Sequence, residues 1–465
     1  MWKTITAALA GIRTRRPSGS RGATSRGVRL GVEALEGRAV PANLTVTYAA
    51  ATHTLTVAGD NAANDLTVQG DISDPTHFVL TSAGTINNGP GTFATPSGVE
   101  NMAIQLLAGD DRLTFATSPA VHLRGGLTID GGDGSNTVYA NYLTVGKGLA
   151  IRNGAGYDMT FLLDPSVGGS LTIRNGDGGS WVNLDRGSQG VSTIGGSLRI
   201  TNGTGTDVTQ LVDLNVGGDA IIRNGGADSF GSPGETDFCN SFNQAVPSQV
   251  RGSVFVSYDD GTGHGRNSLE DIVVGGNVTF DDGAASITNV FDGLSTRYPT
   301  VVRGSLTIRG TAPASVELGT GLKNTGLVVG MNLSISGGAG PNSVTLNKVQ
   351  VGGSTAIKLA DGYNRLQVDD SSFAGSFRLT TGGGKNVVLL DTAAGSTAAT
   401  EFRGPVMMSL GAGDDNVSLA GGADGNQAVE ILGTFLVHHG SGSDVLAESR
   451  AHEFFPFGTS IRWVV

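Results

Sequence analysis

A unit of about 25 residues recurs from roughly residue 120 to residue 446: a glycine pair, a short apolar strand, a Gly/Asn/Asp turn and a second apolar strand. Val167-Gly168-Gly169-Ser170-Leu171-Thr172-Ile173-Arg174-Asn175-Gly176 is one copy, and Ile194-Gly195-Gly196-Ser197-Leu198-Arg199-Ile200-Thr201-Asn202-Gly203 is another. Counting from the glycine before each first strand, Gly126 through Gly433, twelve intervals span 307 residues, a mean of about 26. A unit this short cannot cover its own apolar face, so neighbouring copies must cover it, and a fixed period in this range specifies a stacked solenoid.

Composition decides which kind of solenoid. Glycine at 74 of 465 positions is incompatible with a helical repeat. The apolar residues alternate instead: Leu171 and Ile173, then Val182 and Leu184, face one way, with Thr172 and Asn183 facing the other. The expectation is an all-β fold, a right-handed parallel β-helix with two or three short strands per coil and irregular N-terminal and C-terminal caps. Coils about 4.8 Å apart would make twelve or thirteen of them a column of about 60 Å. Leu127/Ile129, Leu171/Ile173, Leu198/Ile200, Leu306/Ile308 and Leu333/Ile335 should point inward and stack. The expected boundaries are a basic leader over 1–42, an N-terminal cap with first irregular coils over 43–118, repeats over 119–446 and a C-terminal cap over 447–465. A hairpin is expected around Leu44–Tyr48 and Leu55–Val57, and a looped insertion at 229–248.

Charge separates the leader from the rest. The first 42 residues hold eight Lys/Arg against two acidic residues, whereas the remaining 423 hold 22 basic and 39 acidic, a net of −17. An acidic body with few aromatic platforms argues against a nucleic-acid partner. No run of 18 apolar residues suggests a transmembrane span. A lone cysteine, Cys239, rules out an intrachain disulfide, so the stacked core must hold the fold. The segment Val32-Glu33-Ala34-Leu35-Glu36-Gly37-Arg38-Ala39-Val40-Pro41-Ala42 resembles the Leu-Glu-Asp/Glu-Arg leader, followed by proline, of large exported proteins of planctomycete bacteria, with Gly37 in place of the acidic residue. That resemblance implies a secreted or cell-surface fate.

The turns carry a second resemblance. Gly131-Gly132-Asp133-Gly134-Ser135-Asn136-Thr137-Val138-Tyr139 is similar to the calcium-binding nonapeptide of RTX proteins, with Asn136 at the aspartate position. Asp207, Asp415 and Asp444 stand at that position in other copies, and Asn342 in another. The resemblance implies calcium held between turns of successive coils, with Asp207, Asp415 and Asp444 as metal ligands. Read from the residues alone, the same positions make Asx turns, and anionic oxygens are thin for a hard cation. No other cofactor is indicated.

Arg152-Asn153, Arg174-Asn175 and Arg223-Asn224 recur in register, with Thr201-Asn202 between them and Arg309 later. Two readings stand: a basic stripe for an anionic glycan, or a corner stack of asparagine amides beside solvated arginines that Asp177 and Asp228 offset. Tyr258-Asp259-Asp260, His264, Arg266 and Asp281-Asp282 form the densest local collection of groups fit for acid–base work, and they also read as Asp-Gly turns. His438-His439 with His452 is a further cluster, short of ligands for a metal. The leading reading is a non-catalytic structural or adhesive solenoid, secreted or on the cell surface, with wall or extracellular polysaccharide as partner. The alternatives are a carbohydrate-active β-helix enzyme, a polysaccharide lyase or glycoside hydrolase, and a glycan-binding module.

Overall fold

A computed structural model describes residues 42–185, 191–225, 234–239, 247–258, 264–292, 298–319, 326–393, 398–420, 428–448, 453–454 and 461–464. The leader motif therefore lies outside the described residues, as do Asp228, Asp259, Asp260 and His452.

The fold is an all-β right-handed parallel β-helix. Each coil runs through three faces. Strands such as Leu149–Asn153, Leu171–Arg174 and Leu198–Thr201 build the first face, which follows the glycine pair. Asp158–Leu163, Ser180–Asp185 and Asp207–Val212 build the second. The third is short, as in Ser166–Val167 and Ser192–Ile194. Fourteen successive three-strand coils are described, from the one opening at Asn101–Gln105 to the one closing at Glu453–Phe454. Every face is an open parallel ladder through these coils, in register from one to the next except for first-face shifts between Asp130 and Gly132 and between Asp281 and Gly283.

The inward columns match the alternation in the sequence. Leu171 pairs with Leu149 and Leu198, and Ile173 with Ile151 and Ile200, and all six are fully buried. Leu127/Ile129, Leu306/Ile308 and Leu333/Ile335 occupy the same columns. A change of register by one residue would expose the whole set, so the stack is pinned by its own hydrophobic pattern.

Two corners explain residue types that the periodicity alone does not. Between the second and third faces the chain turns on one residue at positive φ, and Asp164, Asp213, Asp271, Asp370 and Asp391 hold φ of 49–52° there. Aspartate tolerates this left-handed conformation better than most side chains because its short carboxylate bonds locally. Part of the acidic composition is thus corner chemistry. At the turn between first and second faces, Gly178 has φ 123°, and a Cβ there would strike the backbone of Gly156 in the coil below. Glycine is required by both conformation and closeness of approach.

The start is antiparallel. Asn43–Ala49 forms a hairpin with Thr54–Ala58, which then stacks in parallel on Asn101–Gln105. Asp65–Gly70, Phe78–Ser82 and Thr92–Ala94 make an antiparallel meander beside the first strand of the second face. The last described strands, Glu453–Phe454 and Ile461–Val464, continue the third and first faces in parallel.

One segment differs from the expected loop over 229–248. Gly234–Cys239 is a second-face strand paired between Val208–Val212 and Gly265–Leu269. The alternation Glu235-Thr236-Asp237-Phe238-Cys239 buries Thr236 and Phe238 and turns Glu235 and Asp237 outward, which is what a strand of this ladder requires.

Candidate functional site

The turn aspartates point into the stack. Asp207 is fully buried and its Oδ1 accepts a hydrogen bond from the Ser180 hydroxyl of the preceding coil at 2.8 Å. Oδ2 of Asp207 meets no hydrogen-bond partner among the described residues, and burial pushes the carboxyl up to about 7. Asp158, at the same position two coils earlier, accepts the Asn136 backbone N–H at 3.0 Å and is pushed up to about 6, again by burial.

Asp415 and Asp444 belong to a ladder of amides and carboxylates at the start of the second face. The Asn342 amide donates to Asn364 at 2.7 Å, Asn364 to Asn386 at 2.8 Å and Asn386 to Asp415 at 2.8 Å. Asp444 then accepts the Asp415 backbone N–H at 2.9 Å and meets His439 Nδ1 at 2.6 Å. The His439 ring is stacked on Trp463 with centroids 4.7 Å apart. The three aspartates sit in three different coils, each engaged with its neighbour. Among the described residues no group of three or more His, Cys, Asp or Glu side chains is placed to hold a metal ion.

A second ladder runs at the other side of the same turn, at the end of the first face. The Asn153 amide donates to Asn175 at 2.9 Å, Asn175 to Asn202 at 2.8 Å and Asn202 to Asn224 at 2.9 Å. This is the corner stack that the spacing of these asparagines suggests. It continues further than sequence spacing reveals, crossing the core from Asn224 to the Thr236 hydroxyl at 3.1 Å and on to the Tyr258 hydroxyl at 3.3 Å. Tyr258 donates to Asn267 at 3.0 Å, Asn267 to Asn289 at 2.9 Å, and Asn289 to Asp282 at 2.7 Å.

The collection around Tyr258 is therefore dispersed. Tyr258 and Asp282 are buried in the ladder, burial raising the phenol and pushing the carboxyl up to about 7. Asp281 faces outward on the first face and pairs with Arg309 at 2.7 Å. Arg266 lies on the second face, and the side chain of His264 lies outside the described residues.

Arg266 does organise a group that sequence spacing hides. Its guanidinium approaches Glu235 at 3.4 Å, Glu270 at 3.5 Å and Asp237 at 3.8 Å. The Ser268 hydroxyl donates to Asp237 at 2.6 Å. Burial and the neighbouring Asp237 carboxyl push Glu235 up to about 7. Glu235 and Arg266 lie 31 residues apart in sequence but pair across adjacent strands, so only the coil register could have found them. Cys239, on the same strand, is half-buried, and its thiol is pushed up to about 12 by burial and the surrounding carboxylates, which leaves it protonated and unreactive.

The described surface carries several depressions. One of about 250 Å³ lies along the third face between Thr193, Asn215, Gln249 and Arg251. Among the described residues, no helix is long and apolar enough to cross a membrane. Comparison with known proteins finds no matching family model, no matching curated protein and no matching solved structure.

Proposed function

We propose that the chain is a non-catalytic structural or adhesive solenoid, exported to the cell surface or secreted, with wall or extracellular polysaccharide as its partner. The observation that carries this reading is the use made of the polar side chains. Asp158, Asp207, Asp282 and Asp415 are buried and bonded from coil to coil, so they add cohesion and do not converge on an outer face. Export is supported by the basic leader and its resemblance to the planctomycete motif. Long, repetitive and stiffened by two internal ladders, such a column suits spacing or attachment better than turnover.

A second reading has one specific observation in its favour. Glu235, Asp237 and Arg266 share an outer face with Trp181, which lies two coils away in the same outward row, about 10 Å along the axis. A raised carboxyl beside an arginine, with an indole nearby, is chemistry a carbohydrate-active enzyme could use. One experiment separates the two. The full chain is mixed with insoluble wall polysaccharide, and both sedimentation of the protein and release of reducing ends or unsaturated uronate are followed. Sedimentation without product supports the adhesive reading, whereas product formation abolished by Glu235→Gln would overturn it in favour of the enzyme.

A further inference from the structure

The outer side of the first face carries an arginine in each of four successive coils. Arg152, Arg174, Arg199 and Arg223 lie on strands Leu149–Asn153, Leu171–Arg174, Leu198–Thr201 and Ala220–Asn224, and all four are exposed. Arg152 is directly opposite Arg174, and Arg174 is followed in its row by Thr201 and then Arg223. Arg199 occupies the neighbouring outward row, beside Thr172 and Ile221. With coils about 4.8 Å apart, the four guanidinium groups are spread over about 14 Å of the axis.

Like charges directly opposite one another destabilise a sheet, so such a run needs a counter-charge from somewhere. The fold can supply one: further along the same row, Asp281 stands opposite Arg309 and pairs with it at 2.7 Å. Asp130 likewise stands opposite Arg152 at the start of the run, but none of these four arginines forms an ion pair among the described residues. The nearby carboxylates each turn one oxygen to backbone. Asp130 accepts the Gly132 N–H at 3.2 Å, Asp133 the Ala155 N–H at 3.0 Å and Asp177 the Thr204 N–H at 2.9 Å. Asp177 forms no ion pair with these arginines among the described residues, and Asp228 lies outside them.

We propose that this face, from Leu149 to Asn224, binds a linear polyanionic polysaccharide whose carboxylate or sulfate groups are gripped by Arg152, Arg174, Arg199 and Arg223. The inference rests on the adhesive reading and gives it a surface and a charge class. Arginine is the side chain suited to planar, bidentate capture of such groups. Of the outward neighbours, Ala150, Thr172 and Thr201 are small and Ile221 alone is a bulky aliphatic, so an extended chain has room to lie along the face. The net charge of −17 on the body does not prevent this, because charges more than about 8 Å from the contact are screened at physiological ionic strength. It confines binding instead, since the rest of the surface repels the same ligand.

The test uses the full chain and a variant carrying Arg152→Ser, Arg174→Ser, Arg199→Ser and Arg223→Ser. A second variant removes the same charge elsewhere through Arg303→Ser, Lys358→Ser, Arg378→Ser and Arg462→Ser, all at exposed positions. Affinity electrophoresis is run against polygalacturonate, dextran sulfate, neutral dextran and a single-stranded oligodeoxynucleotide, with circular dichroism to establish that both variants are folded. The parent should bind at least one charged glycan and not neutral dextran. The stripe variant should bind about tenfold more weakly or worse, with a shallower salt dependence, while the control variant keeps its affinity. Preference for polygalacturonate assigns carboxylate, and preference for dextran sulfate assigns sulfate. Equal loss in both variants, or equal binding of the oligonucleotide, would overturn the proposal. If the stripe variant still sediments with wall polysaccharide as the parent does, the stripe is wrong and the adhesive reading stands. If the parent itself fails to sediment, it is the adhesive reading that falls.

Discussion

The coils between Leu149 and Asp292 and those between Leu333 and His438 share one backbone plan and fill it differently. In the first block the inward second-face positions include Thr160, Thr209, Thr236, Asn267 and Asn289, and the first face ends on Asn153, Asn175, Asn202 and Asn224. In the second block the corresponding second-face positions are Val344, Leu366, Val388 and Val417, and the first face ends on Gly337, Leu359 and Thr381. Phe373, Phe377 and Phe402 pack there with centroids 5.0–5.1 Å apart. Both blocks run an amide ladder along the axis, but on opposite sides of the same turn. A β-helix turn thus offers two places to satisfy buried amides, and whichever place is used leaves the other free to be apolar or acidic.

The largest effect should be common to both blocks. Ile173→Asp in the first and Leu379→Asp in the second each place a carboxylate in a fully buried column with no partner. Each should lower unfolding stability by on the order of 3–5 kcal/mol in denaturant titration. A large difference between them would mean that the polar interior of the first block tolerates charge, which would sharpen the contrast. No change in either would require these side chains to face outward and would break the register described above.

Next in size is the ladder itself. Asn224→Leu removes the acceptor of the Asn202 amide and the donor to Thr236, and Asn364→Leu does the same between Asn342 and Asn386. Each strands a buried amide, at a cost of about 1–3 kcal/mol. The reciprocal change, Leu359→Asn, builds an amide where the second block has no ladder, and it should also destabilise. If Leu359→Asn proved neutral, the two sides of the turn would be interchangeable and the comparison would lose its physical basis.

A smaller and more selective effect is pH dependence. Asp207 and Asp282, both in the first block, are raised by burial from 3.8 to about 7. A carboxyl whose folded pKa lies above its unfolded value binds its proton more tightly when folded. Stability from these groups is therefore complete below pH 3.8 and is lost as pH rises through about 7. The melting temperature should be lower at pH 8 than at pH 5, and Asp207→Asn should flatten that slope, because the amide oxygen still accepts the Ser180 hydroxyl without acquiring charge. A slope unchanged by Asp207→Asn would assign it to other groups.

How much of this was legible beforehand follows from distance along the chain. The inward columns were readable because alternation and the glycine pair are local signals, and Leu171/Ile173 needed only their neighbours to be placed. The asparagine stack was readable because its members recur at the period of the coil. The crossing from Asn224 through Thr236 and Tyr258 to Asn289 was not, since it leaves one corner and enters the second face, where no period connects its members. Glu235 and Asp237 were hidden for a further reason: Gly234–Cys239 sits within a span whose irregular length reads as a loop. The Asp-Gly pairs were misleading in the other direction, since Asp281 and Asp282 are adjacent in sequence yet one faces solvent and the other lies in the core.

The smallest expected effect concerns calcium, and it tests whether the turn positions of the two blocks differ in kind. Calcium takes 6–8 oxygen ligands at about 2.3–2.6 Å, drawn here from neighbouring coils if at all. Asp207 in the first block has one free oxygen beside a serine, and Asp415 in the second has one beside an asparagine. Asp444 has both oxygens engaged, one by backbone and one by His439. Asp207 and Asp415 thus offer one oxygen each and Asp444 none where a site needs several, and the raised carboxyl of Asp207 holds a proton that a metal would have to displace. What remains is diffuse attraction of divalent ions to an acidic body, which salt screens. Calorimetry with calcium and with chelator should show a small shift in melting temperature that disappears in high salt, equal in the parent and in Asp207→Asn. A large shift abolished by Asp207→Asn would place a specific site in the first block, and one abolished by Asp415→Asn would place it in the second. Loss of all β structure on chelation would make folding metal-coupled throughout.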